Sequence, residues 1–255
     1  MTSVELEIIL KAGKLLVSSG SEINRAEETM NYIAQSLYLK NVEAYVTNRG
    51  IFATAILNDG TETTRIYNVP ETDINLSKIE AVNALSRRIT KESITTKEIL
   101  GELYRIDKMS DYSLVLRLIA YTLGAASFSY AIGSSATDSI IAGLIGLVLG
   151  IYMCTIRRIL HSEVLITILG SILIALIANF FVSIGLGSNL SVILLGAMID
   201  MVPGVAFVNA VREYSQNNYN TGITLMMGAL LTCISMAVGV AAVQSALTNV
   251  SMMPL

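Results

Sequence analysis

The sequence predicts an α-helical integral membrane protein with five transmembrane helices and an N-terminal cytoplasmic α+β domain. Three observations predict it: charge nearly vanishes after Asp111, that stretch breaks into five long apolar runs, and helical and alternating patterns are mixed before it. The chain holds 17 Lys and Arg and 20 Asp and Glu, yet after Asp111 the only bases are Arg117, Arg157, Arg158 and Arg212. The only acids there are Asp138, Glu163, Asp200 and Glu213. A water-soluble domain is not built from so little charge. The expected division is a domain over 1–111 and a membrane domain over 112–255.

The apolar runs cover roughly 112–132, 139–156, 164–184, 190–211 and 222–247. Each is near the ~20 residues that cross ~30 Å of hydrocarbon. Such a chain lives in the cell membrane among lipid, and transport becomes its leading class of function. Residues 1–14 mix Glu5, Glu7, Lys11 and Lys14 with aliphatics and lack the apolar core of a signal peptide. Loops rich in Lys and Arg face the cytoplasm. Arg105 and Lys108 precede the first run, Arg157 and Arg158 follow the second, and Arg212 follows the fourth, while the loops 134–138 and 185–189 have none. The expected topology is a cytoplasmic N-terminal domain and an outside C-terminus.

In the first 111 residues acids and bases nearly balance, which gives no broad basic face and excludes nucleic acid as a partner class. Cys154 and Cys233 both fall in apolar runs and His161 is the only histidine, so no disulfide framework or metal cluster is expected. No cofactor is implied either, and there is no GxxxxGK[ST] phosphate loop to use ATP.

Residues 3–18 carry Val4, Ile8, Ile9, Ala12, Leu15 and Leu16 at helical spacing, with Gly20 as a stop. Ser21 is the expected N-cap of a second helix through Ile23, Ala26, Met30 and Ile33 to about Leu39. Extended runs follow at 42–47, 51–57 and 61–69, the last two joined by Asn58-Asp59-Gly60, a signal for a tight hairpin turn. Helical spacing returns at Leu76, Ile79, Val82, Leu85 and Ile89 and again over 95–109, giving the order ααβββαα. Glu22, Arg25 and Glu28 at i, i+3 and i+6 share a helix face. They read either as a solvated, ion-paired face or, with Arg49 and Arg65 from the sheet, as a cytoplasmic polar site. As an enzyme site this cluster lacks a nucleophile or a metal, and no catalytic residues are assigned.

The membrane part holds the sharper signal. An ionised carboxylate inside the bilayer costs several kcal/mol and faces a cavity, a partner or a proton route. Asp200 is such a residue, three positions before Pro203-Gly204, where a lost donor and added backbone freedom break a helix. Broken helices bind small substrates and ions in several transporter architectures. Asn209, Arg212, Asn179 and Arg117 are further polar candidates. Alternatives stay open: a packing kink at Pro203, an Asp200–Arg117 pair, and Arg212 as a snorkelling anchor. Gly146 and Gly150 form a GxxxG pattern that reads as a close helix contact.

Several segments in this order resemble the bacterial threonine/serine exporter family in its short, split form. They are residues 19–30 (SGSEINRAEETM), 50–54 (GIFAT), Asp59-Gly60 with Thr64-Arg65-Ile66, and 82–89 (VNALSRRI). In the membrane part they are Val202-Pro203-Gly204, Asn209-Ala210 and Arg212. The resemblance implies export of a small hydrophilic metabolite, threonine or serine, or a dicarboxylate such as succinate in the two-protein variant. It also implies a separate small membrane subunit completing the transporter. Arg212-Glu213-Tyr214 and 221–225 (TGITL) depart from the family pattern. Asp200, Pro203, Gly204, Asn209, Arg212, Arg117 and Asn179 are then the expected substrate or proton site. Two other classes compete: a membrane-tethered ligand sensor or hydrolase-like domain, and a non-transporting scaffold subunit.

Overall fold

The computed structural model describes residues 4–56, 60–70, 74–92, 94–109 and 112–251. The chain divides into two compact units, Met1–Asp111 with Gln216–Thr221, and Tyr112–Ser215 with Gly222–Leu255.

In the first unit α1 (Val4–Ser18) and α2 (Ile23–Ser36) precede three strands, β1 (Lys40–Val46), β2 (Gly50–Ile56) and β3 (Glu62–Asn68). Then come α3 (Leu76–Lys91) and α4 (Thr96–Asp107). Helix α1 is the core of this unit: Leu6, Ile8, Ile9, Leu10 and Ala12 are fully buried, because α2, α3, α4 and β2 all pack on it. Each of the four Leu and Ile side chains contributes about 1.5–3 kcal/mol by leaving water. Lys11 ties α1 to α4, its Nζ lying 3.0 Å from Asp107 Oδ2 and 3.6 Å above the Tyr104 ring centroid.

The sheet is antiparallel in the order β1-β2-β3, with Ala53 opposite Arg65 and Phe52 opposite Ile66. Ile51, Ala53 and Ala55 are buried and fall on one face, as a period of two requires. Of the expected hairpin turn, Asn58 and Asp59 lie outside the described residues; Gly60 has the positive φ, 83°, that such a turn demands.

One helix start needs correction. The N-cap of α2 is Glu22, not Ser21, and its side chain makes no capping bond; the Ser21 hydroxyl donates to the Glu22 carbonyl at 3.4 Å instead. The helix also stops at Ser36, because Tyr38 turns to φ 55° and ends the helical path before Leu39. Helix α4, in contrast, has a full capping box, in which Thr95 Oγ1 accepts from Glu98 N and Glu98 Oε2 accepts from Thr95 N. The short segment 216–221 belongs to this unit, where Asn218 Nδ2 donates to Asn24 Oδ1 at 2.8 Å.

The second unit is helical: α5 (Leu114–Ala131), α6 (Ala136–Ile156), α7 (Glu163–Ser183), α8 (Leu190–Met198), α9 (Gly204–Ser215) and α10 (Tyr219–Ser251). Among the described residues four helices, α5, α6, α7 and α10, are long and apolar enough to cross a membrane. The run over 190–211 is broken at Pro203-Gly204, where the sequence places a helix break: α8 and α9 meet at 60°, with a 3-10 turn, Ile199–Met201, between them. Counting the bent pair as one gives five spans. The expected span over 222–247 is extended at both ends as the 33-residue α10.

Glycines set how closely these helices pack. A Cβ at Gly146 would lie 2.7 Å from the Tyr121 carbonyl oxygen and 2.7 Å from Ala125 Cβ; at Gly143 it would lie 3.0 Å from Ala126 Cβ, and at Gly150 3.0 Å from the Tyr121 ring. The GxxxG pattern is therefore a close contact between α6 and α5. Gly239 of α10 plays the same part against Ser171 and Ile168 of α7.

Candidate functional site

The break in the α8–α9 pair follows from its residues. Val202 precedes proline and takes the extended conformation that such residues favour, φ −65° and ψ 125°. Pro203 offers no N–H, so the helical ladder lapses and restarts with Phe207 N donating to the Pro203 carbonyl at 3.0 Å. The free groups are met locally: Val202 N donates to Ile199 O at 3.1 Å and Gly204 N to Val202 O at 2.8 Å.

Helix α8 packs on α5, α6 and α7 at once, and the 3-10 turn lies against α5. Two glycines on neighbouring helices receive this turn. The position of a Cβ on Gly124 of α5 lies 3.1 Å from Asp200 Oδ1, and that on Gly170 of α7 lies 3.2 Å from Met201 Cε. Upstream, Gly196 of α8 sits against Ser129 of α5. Gly124 is ten residues beyond Leu114, about 15 Å along α5 at 1.5 Å per residue. That is near the middle of a ~30 Å hydrocarbon layer.

Asp200 is exposed at the surface of this unit, and among the described residues no side chain is within hydrogen-bond or ion-pair distance of its carboxylate. The Asp200–Arg117 pair left open by the sequence is not formed. Both residues nevertheless lie within electrostatic reach of one phenol, that of Tyr121, as does Arg157. Arg117, Tyr121 and Gly124 stand at i, i+4 and i+7, one stripe of α5. Arg157 is also engaged with Glu163 at 3.4 Å.

The other candidates fall elsewhere. Asn179 donates its Nδ2 to the Ala175 carbonyl of its own helix at 2.7 Å. Asn209 is half-buried and Arg212 exposed on α9. In the first unit, Arg25 Nε stands 3.9 Å from Glu22 Oε1, with the Arg25 side chain 74% exposed. A pair so solvated contributes little. Glu28 and Arg49 are exposed, and Arg65 is half-buried on β3.

Residues that sequence reasoning passed over also matter. Asp138, only 2% exposed, accepts from Ser188 N at 2.7 Å. Its signal was Ser135-x-x-Asp138, a helix start in which the Ser135 hydroxyl accepts from Asp138 N. Glu213, also 2% exposed, was noted only as a departure from a family pattern. Gly124 and Gly170 gave no signal at all, since a glycine in an apolar run has no periodicity. No group of three or more His, Cys, Asp or Glu that could hold a metal exists among the described residues.

A multi-pass helical bundle, with a broken helix pair that carries a carboxylate at its break, has the architecture of several membrane transporters. The model of the ThrE family, "Putative threonine/serine exporter", matches residues 7–247, and the chain belongs to that family. It is a family of transporters rather than of enzymes. Neither a curated protein nor a solved structure matches the chain significantly.

Proposed function

We propose that the chain is one part of a secondary exporter of threonine and serine, with the Asp200 carboxylate as ligand to the substrate ammonium group. One observation carries this reading: a carboxylate at the break of the α8–α9 pair, with no cation of the described residues paired to it. An unpaired ionised carboxylate costs about 2.5–3.5 kcal/mol at mid-membrane on insertion scales, so a cationic ligand or a proton is the natural occupant. A dicarboxylate such as succinate would add charge of the wrong sign at this point. Arg117, two helical turns from Gly124 on the same stripe of α5, suits the substrate carboxylate.

The exposure of Asp200 and of most of α9 supports a separate membrane subunit that covers the site. The loop charges support a cytoplasmic first unit and an outward C-terminus; export as the direction follows the family description, a threonine/serine exporter. Efflux of threonine, serine and succinate from loaded cells, with the chain alone and with a candidate small membrane subunit, tests the reading. Export of the two amino acids that Asp200→Asn abolishes is the expected result. Normal export by Asp200→Asn removes the carboxylate from the mechanism.

A second reading, ligand sensing by the first unit, is favoured by one feature: an open cavity of ≈ 480 Å³ lined by residues that include Gln35, Tyr38, Lys91, Glu92 and Thr96. Calorimetric titration of Asp200→Asn protein with serine separates the two. Heat that persists in that variant and disappears on adding Lys91→Ala would establish sensing.

A further inference from the structure

We propose that Met201 is the positioning residue of this site: seated against Gly170 of α7, it sets the rotation of the 3-10 turn that aims the Asp200 carboxylate at α5. The inference deepens the export reading above, and only its transport arm rests on that reading.

The turn Ile199–Met201 sends neighbouring side chains in different directions, because a 3-10 helix has three residues per turn and successive side chains stand about 120° apart. Met201 is buried and belongs to the apolar core of the bundle, whereas Asp200 is exposed. A Cβ on Gly170 would lie 3.2 Å from Met201 Cε and 3.6 Å from its Sδ, so the missing side chain gives the methionine tip its seat. The same point is 3.1 Å from Tyr152 Cε1. The Tyr152 hydroxyl donates to the Ile166 carbonyl, one helical turn before Gly170, at 2.9 Å, which fixes the ring as a wall of that seat.

Beyond Met201 the chain is held far less. Val202 is exposed, nothing stands within 4 Å of a Cβ on Gly204, and the buried residues of α9 are Ala210 and Glu213. Met201 is thus the last deeply seated residue before the break. Pro203 interrupts the helical ladder, but it does not decide which way Asp200 faces. With Met201 held on α7, the residue before it turns toward α5, where a Cβ on Gly124 would meet Asp200 Oδ1 at 3.1 Å. Without that seat the turn is free to rotate, and the carboxylate loses its direction. An unbranched methionine suits so narrow a place, and leucine is the substitute nearest to it in volume.

Two measurements on the full chain test this. In protein carrying Cys154→Ser and Cys233→Ser, the pair Gly124→Cys and Asp200→Cys is introduced and the rate of disulfide formation on adding an oxidant is followed, with thermal unfolding in parallel. That rate reports how steadily residue 200 faces α5. Adding Met201→Ala is expected to slow it several-fold, and Met201→Leu to recover most of it. Gly170→Val fills the seat while Met201 stays in the sequence, and is expected to slow linkage likewise; it decides the matter should Met201→Ala fail to fold. An unchanged rate in the folded variant overturns the role of Met201, as does a reference pair that does not link. The second measurement is serine transport by wild-type, Met201→Ala and Asp200→Asn chains in proteoliposomes, with the membrane subunit where export requires it. Met201→Ala is expected to raise KM roughly tenfold, the scale of one misaligned charge-assisted hydrogen bond, with the maximal rate within about twofold of wild type. A KM unchanged by Met201→Ala, where Asp200→Asn is inactive, overturns the positioning role in transport. Slowed linkage together with normal transport by Asp200→Asn overturns the export reading and leaves the seat of Met201 standing.

Discussion

Asp138 Oδ1 accepts a hydrogen bond from the backbone N–H of Ser188 at 2.7 Å, fastening the start of α6 to the turn that leads into α8. The carboxylate is nearly inaccessible, and fifty residues separate the two partners in sequence. Asp138→Ala leaves the Ser188 donor without its acceptor, which costs about 1–3 kcal/mol. A lowered unfolding temperature of the purified protein, with Asp138→Asn recovering part of the loss through its own carbonyl oxygen, is the expected outcome.

The capping box of α4 makes a statement about pH. Hydrogen bonds from the Thr95 side chain and backbone hold the Glu98 carboxyl below its ordinary value. A depressed carboxylate contributes stability that is complete above the unfolded value, about 4.3 for glutamate, and is lost as pH falls through the lower folded value. Unfolding temperatures of wild type and Glu98→Gln measured from pH 7 down to pH 3 should converge at the acid end. Thr95→Ala should lose about 1 kcal/mol of helix capping at neutral pH.

Replacing Pro203 by alanine restores the missing donor and permits α8 and α9 to join. The expected result is an unfolding temperature equal to or above that of wild type, with serine efflux reduced several-fold. Efflux at the wild-type rate would mean that the 60° bend is not needed for transport.

Asn24 and Asn218 are 194 positions apart and share a 2.8 Å hydrogen bond in the first unit. A double-mutant cycle with alanine at each position should return a coupling of about 0.5–1.5 kcal/mol in thermal unfolding, the net value of one such bond. Strict additivity would show that the contact contributes nothing.

What the sequence revealed, and what it hid, follows from where the physical signals lie. Helix α1 was legible because Val4, Ile8, Ile9, Leu15 and Leu16 repeat at helical spacing, and α8–α9 broke where Pro203 and Gly204 said it would. Both are local effects of periodicity and backbone chemistry. The 60° angle was not legible, because it is set by the helices on which α8 rests. Glu22 displaced Ser21 as the N-cap of α2 although serine is the better capping residue, a case of tertiary placement overriding local preference. Burial of Asp138 depends on a backbone N–H fifty residues away, and the role of Gly124 depends on a carboxylate brought to it from another helix. No window of neighbouring residues contains either fact.

Helix α6 carries two faces with opposite rules for variation. Gly143, Gly146 and Gly150 touch α5 so closely that a larger residue must displace a neighbour, a side chain at Gly150 and the α5 backbone itself at Gly146. Ile140, Leu144, Val148 and Ile151 point away, each between 37% and 64% exposed. In a library holding every substitution along this helix, survivors at the glycine positions should be confined to Gly with an occasional Ala or Ser. At the four outward positions almost any aliphatic or aromatic residue should be recovered. One 21-residue helix would then display, in alternating columns of tolerance and refusal, the boundary between protein and its surroundings.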